Sequence, residues 1–132
     1  MESQKWAETS LRVFSDSHSV VALSRILGSP TVHHDKGQPI GKQTSGVHSM
    51  SAWMLVSPEL ANDLRAQLSW ILDFIELRLS VLLELSLTCE IDIFCGFSSE
   101  NGQGGCTFDH AVLERLGKIP FSLTLDLYPP TL

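Results

Sequence analysis

Residues 89–105 read CEIDIFCGFSSENGQGG, and the reading of this stretch decides the fold. Cys89, Ile91, Ile93, Cys95 and Phe97 share one parity, while Glu90 and Asp92 hold the other. Successive side chains of an extended chain point to opposite faces, so the pattern predicts a strand with an apolar side and an acidic side. The glycine-rich run Asn101-Gly102-Gln103-Gly104-Gly105 follows, and its Asn-Gly pair is a strong turn signal. Residues 121–128 repeat the design, with Phe121, Leu123, Leu125 and Leu127 inward and Ser122, Thr124 and Asp126 outward. These two strands are expected to pair within a sheet that has one buried and one more polar face.

Working towards the N-terminus, residues 11–14 predict a further strand, with Leu11 and Val13 on one face and Arg12 and Phe14 on the other. Ser17 is the expected cap of a helix running to Leu27, which Gly28 closes and Pro30 prevents from resuming. Residues 28–51 lack sustained periodicity, and so long a connection is functional, mobile or hides a short strand. A strand over 52–56 follows. From residue 59 the helical spacing is plain in Leu60, Leu64, Leu68, Ile71, Leu72, Ile75, Leu79 and Leu82. A second apolar line, Trp70, Phe74, Leu77, Val81 and Leu85, begins only in the later half. A helix apolar on two sides must be covered on two sides, so a break near Trp70 is expected. The alternative is one long helix offering its spare face to another subunit. Asp109 and Gly117 bound a last short helix.

The 132 residues suit one domain, with a core over about 10–129. An apolar fraction of 43% and a charged fraction of 18% are globular values. The formal charge of −6 opposes nonspecific nucleic-acid binding, which needs Lys and Arg on phosphates, and suits a basic partner. The most hydrophobic window, residues 68–87, contains Asp73, Glu76, Arg78 and Glu84, too costly to place in lipid. Three cysteines and an N-terminus without a secretory leader point to a reducing cytoplasmic compartment.

Ile93-Phe94-Cys95-Gly96, the Ser-Glu-Asn-Gly-Gln-Gly-Gly after it, and the closing Leu-Asp-Leu-Tyr-Pro together resemble the bacterial domain-of-unknown-function family 4279. Leu27-Gly28 before Pro30-Thr31, Lys36-Gly37 and Trp53 agree with it. The resemblance runs from about residue 10 to residue 129 and implies a compact bacterial α+β domain. It brings no activity.

Four groups of residues invite a chemical role. His33, His34, Asp35 and His48 lie in the long loop, with His18 and His110 near helix starts, but adjacent histidines diverge and no HExxH or CxxC pairing supports a metal. Cys95 shares the parity of Ile91 and Ile93, where a thiol is an inert small hydrophobe, as does Cys89; Cys106 is the accessible one. The glycine turn lacks a following Lys and is flanked by Glu100 and Asp109, the wrong charge for phosphate. Glu90, Asp92 and Asp126 form an outward acidic set, and Arg12, Phe14 and Trp53 are placed on the same side. Acids beside aromatics and Arg suit a protein interface better than catalysis on an open strand.

The expectation is therefore a two-layer α+β sandwich, a four-stranded, mainly antiparallel sheet with helices on one face, in the order β-α-β-α(α)-β-α-β. The expected function is noncatalytic binding of a protein partner in the cytoplasm, the specific case being an immunity protein that neutralises a basic toxin. No cofactor, metal, nucleic acid or membrane enters this reading, and a monomer is favoured over a homodimer. Two rivals stand beside it: a small enzyme or ligand-binding protein with a pocket near 28–51 and 100–105, and a structural homo-oligomer.

Overall fold

The computed structural model describes residues 5–42, 46–99 and 106–128. The elements follow in the order β1 (Lys5–Ser15), α1 (Val20–Leu27), β2 (Val32–His34), β3 (Ser51–Val56), α2 (Leu64–Leu77), α3 (Leu79–Leu85), β4 (Cys89–Ser99), α4 (His110–Gly117) and β5 (Ser122–Leu127). They build a mixed α+β domain with an open five-stranded sheet in the order β2-β3-β1-β4-β5. The fifth strand is the short β2 inside the 28–51 segment, where the sequence lacks the length of alternation that would mark it. The sheet is antiparallel except between β4 and β5, which run parallel with Ile93 opposite Leu123.

The core lies between the helices and one face of the sheet. Leu11, Val13, Trp53, Ile93 and Cys95 point into it and meet Leu23, Leu68, Ile71, Leu72, Ile75 and Leu82. Packing of that kind, at roughly 1.5–3 kcal/mol per large buried side chain, sets the alternation along β1 and β4. The polar residues admitted to the core are tied down. Gln67 is buried, with its Nε2 donating to the carbonyls of Ala7 (2.8 Å) and Glu59 (2.7 Å) and its Oε1 3.2 Å from the Thr9 hydroxyl.

Several boundaries differ from expectation for identifiable reasons. The cap of α1 is Ser19, whose Oγ accepts from Ala22 N–H at 3.1 Å, not Ser17. Ser15 Oγ accepts instead from the N–H groups of Ser17 and His18, which holds those residues in a turn before the helix. The long helical stretch breaks at Arg78 (φ −125°, ψ 21°) and not near Trp70. Trp70 and Phe74 are partly buried against the core, and Phe74 meets Trp53 with ring centroids 6.1 Å apart. The second apolar line is thus covered within the chain, except for Leu77, which is exposed beside the break. Leu60 lies outside α2 altogether, in a left-handed turn where Leu60, Ala61 and Asn62 have φ of 47°, 56° and 55°. Non-glycine residues resist this conformation. Asn62 Oδ1 offsets the cost by accepting Ala7 N–H at 3.1 Å.

Candidate protein-interaction face

The face of the sheet turned away from the helices is built by the even-numbered residues of β1 and β4. Arg12 stands opposite Asp92, and Phe14 opposite Glu90. The Arg12 guanidinium grips Asp92 with two bonds, Nε to Oδ1 at 2.7 Å and Nη2 to Oδ2 at 2.5 Å. It also lies over two rings, 4.6 Å from the centroid of Phe94 and 5.3 Å from that of Phe14. Donation to Asp92 holds the Arg12 pKa above its ordinary value, against the lowering effect of burial. This flat cationic fork, paired and stacked, is a rigid centre for the face.

Two further aromatics extend the surface past Gly96. Trp6 and Tyr128 pack edge to face at 5.3 Å, each 42% exposed. They rest on the bare backbone of Gly96, where an added Cβ would lie 3.0 Å from atoms of both rings. The nearby Asp126 carboxylate raises the Tyr128 phenol pKa. At the other end of the face His34 stacks on His48 with ring centroids 3.4 Å apart. Burial first, then the neighbouring His48, lowers the His34 pKa and favours the neutral ring. With Phe14 and Glu90 these histidines line a depression of about 270 Å³.

Of the six residues expected on this surface, Arg12, Phe14, Glu90, Asp92 and Asp126 lie on it. Trp53 does not. It is fully buried on the opposite face, opposite Val13, with Nε1 donating to Gly28 O at 2.9 Å. After Ser51, which is itself buried on Trp53's side, strand β3 is apolar on both sides (Ala52, Met54 and Val56 against Trp53 and Leu55), so no polar residue marks its outer side. Asp92 is also less solvated than an acid on an open strand, since Arg12 covers it to 22% side-chain exposure. Trp6 and Tyr128 went unnoticed from sequence. Trp6 and Glu8 continue the parity of Arg12 and Phe14, but the inward Thr9 disguises the start of β1.

The other candidate groups are not drawn into one site. Among the described residues no three His, Cys, Asp or Glu side chains are grouped to hold a metal. The helix α4 is capped by its own Asp109, whose Oδ1 accepts Val112 N–H at 3.0 Å, and the glycine turn at 101–105 lies outside the described residues. The 28–51 segment enters β3 beside Ser15, whereas β4 leaves the sheet beside Lys5. A depression of about 490 Å³ lies away from the aromatic face, at the start of α2 beside Cys106 and Thr107. There Asp63 already accepts the N–H groups of Arg65 and Ala66, leaving little for an anion to bind. No helix among the described residues is long and apolar enough to cross a membrane.

A one-sided sandwich whose bare sheet face carries stacked Arg, aromatics and acids is a small domain with one broad, preformed surface. The chain belongs to the family described as Domain of unknown function (DUF4279), which it matches over residues 4–130. No curated protein and no solved structure matches it.

Proposed function

We propose that this protein is a noncatalytic cytoplasmic binding protein that seats a basic protein partner on the uncovered face of its sheet. The observation that carries the reading is the row Phe14, Arg12, Phe94, Trp6 and Tyr128 on the face that none of the described helices covers. Aromatics and Arg are the residues that anchor protein interfaces, and here they are held in place before any partner arrives. Glu8, Glu90 and Asp126 surround the row, and the only described cation on this face, Arg12, is spent on Asp92. The whole chain is acidic as well, at −6. The complex we propose is inhibitory, a small acidic protein covering the basic working surface of a toxin, as an immunity protein does. Size and charge support that role, and the family supplies no competing one.

The test is a capture from the native host with wild-type protein and face variants in parallel, followed by kinetics on whatever is retained. Glu90→Lys and Asp126→Lys should slow association several-fold at low salt, with the difference shrinking as salt rises. Trp6→Ala should act chiefly on dissociation, speeding it about tenfold or more, because an anchor contributes after contact. A partner bound equally well by all three variants is bound elsewhere, and the face reading then fails.

A further inference from the structure

The sheet ends on two unlike edges. At one edge β2 is only three residues long, which leaves little for a stray strand to pair with. At the other, β5 presents six residues, SLTLDL, with no Lys, Pro or bulge to discourage pairing. Its N–H of Tyr128 donates to Phe97 O at 2.9 Å, so in the parallel ladder the even-numbered residues turn their backbone groups towards β4. The odd-numbered residues of the strand, Leu123, Leu125 and Leu127, therefore turn theirs to the open side. Their side chains lie on the helix side, yet Leu125 is 48% and Leu127 67% exposed, because the helices do not reach so far.

We propose that this edge pairs with the same edge of a second copy, antiparallel, about a two-fold axis at Thr124. Backbone bonding demands that odd residues face odd residues, and of the registers this allows we take the one centred on Thr124, which sets that residue against its own copy on the axis. Phe121 meets the partner's Leu127 and Leu123 meets the partner's Leu125, each pair exchanging two backbone hydrogen bonds. On the other face Thr124 meets its own copy and Ser122 meets the partner's Asp126. Apolar residues thus meet apolar ones, no two acids stand opposite each other, and a Thr–Thr pair occupies the axis, a favourable cross-strand combination. The prolines at 120 and 129 fall outside the paired stretch. Residues of one parity pair across the axis, so both helical layers lie on one side of a continuous sheet. Both aromatic faces lie on the other. This pairing stands on the β5 edge alone and does not depend on what the aromatic face binds.

The experiment combines mass and cross-linking. Wild-type protein at micromolar concentration should sediment at twice its chain mass of 14.6 kDa. Leu125→Lys combined with Leu127→Lys should halve that mass while keeping the thermal transition, since both side chains are exposed in the single chain. In a Cys106→Ser background, Thr124→Cys should form a disulfide-linked dimer on mild oxidation, because residues facing across the axis in a non-hydrogen-bonded pair are about 4.5 Å apart at Cα. Ser122→Cys, which faces Asp126 and not itself, should cross-link far more slowly. A wild-type monomer overturns the proposal, as does a dimer that survives the double Lys variant. Should that variant fail to fold, equal cross-linking at positions 122 and 124 overturns it instead.

Discussion

Cys95 stands on the helix-covered side of β4, with its thiol pushed up to about 11, chiefly by burial. The Thr9 hydroxyl, 3.9 Å from its sulfur, offsets part of that rise. At pH 8 only about one such thiol in a thousand is ionised, and the thiolate is the reactive form. Native protein treated with a thiol reagent at pH 8 should therefore label at exposed Cys106, with Cys95 and Cys89 reacting only on unfolding. Mass spectrometry after timed labelling checks this, and prompt native modification of Cys95 would place it outside the core. The inward parity of Cys95 was legible because Glu90 and Asp92 mark the opposite side of its strand. Trp53 shows the converse, since the one polar residue of its strand, Ser51, is buried on Trp53's own side and gives no sign of which side faces water.

At the scale of elements, Arg115 makes the densest set of polar links between α4 and α2. Arg115 donates from Nε to Glu76 (2.9 Å), from Nη2 to Glu76 (2.8 Å) and Asp73 (2.6 Å), and from Nη1 to Ser69 Oγ (3.0 Å). These bonds hold the Glu76 carboxyl below its ordinary range. A carboxyl lowered by folding contributes stability above its unfolded pKa and loses it as pH falls through the folded one. Arg115→Met should cost about 1 kcal/mol at pH 7, the upper end for exposed pairs, since Glu76 and Asp73 are largely in water. Thermal unfolding of the two proteins at pH 7 and in steps down to ~pH 2 should show the difference narrowing as the folded carboxyl groups take up protons. The elements themselves were largely readable: β4, β5 and α4 stand where alternation, helical spacing and capping residues put them, and α1 starts two residues late, capped by Ser19 and not Ser17. The break between α2 and α3 was misplaced because Trp70 and Phe74 look like a surplus face in one dimension. In three dimensions they pack against the core, and Arg78, its guanidinium 3.8 Å from the centre of the Phe74 ring, takes up the bend. The aromatic face was half visible, in the acids and in Arg12 and Phe14, and the part supplied by strand register was not.

For the molecule as a whole the decisive feature is that β1 is the central strand. Its neighbours are β3 on one side and β4 on the other, with Trp6 opposite Ser98 and Ser15 opposite both Ser51 and Cys89. A fragment comprising residues 1–88 retains β1, β2, β3, α1 and the long helical pair but lacks one flank of the central strand. It should give no cooperative thermal transition by circular dichroism, while the full chain gives one; a sharp transition in the fragment would show that β4 is dispensable. The same arrangement has a meaning in time. At synthesis rates of about 5–20 residues per second, the first strand to emerge waits on the order of ten seconds for its second neighbour. Through that interval Leu11 and Val13 have only part of their final cover. The newborn chain is thus briefly a client, open to a chaperone or to its own copies on the same message, and its yield in a cell depends on how that wait is guarded.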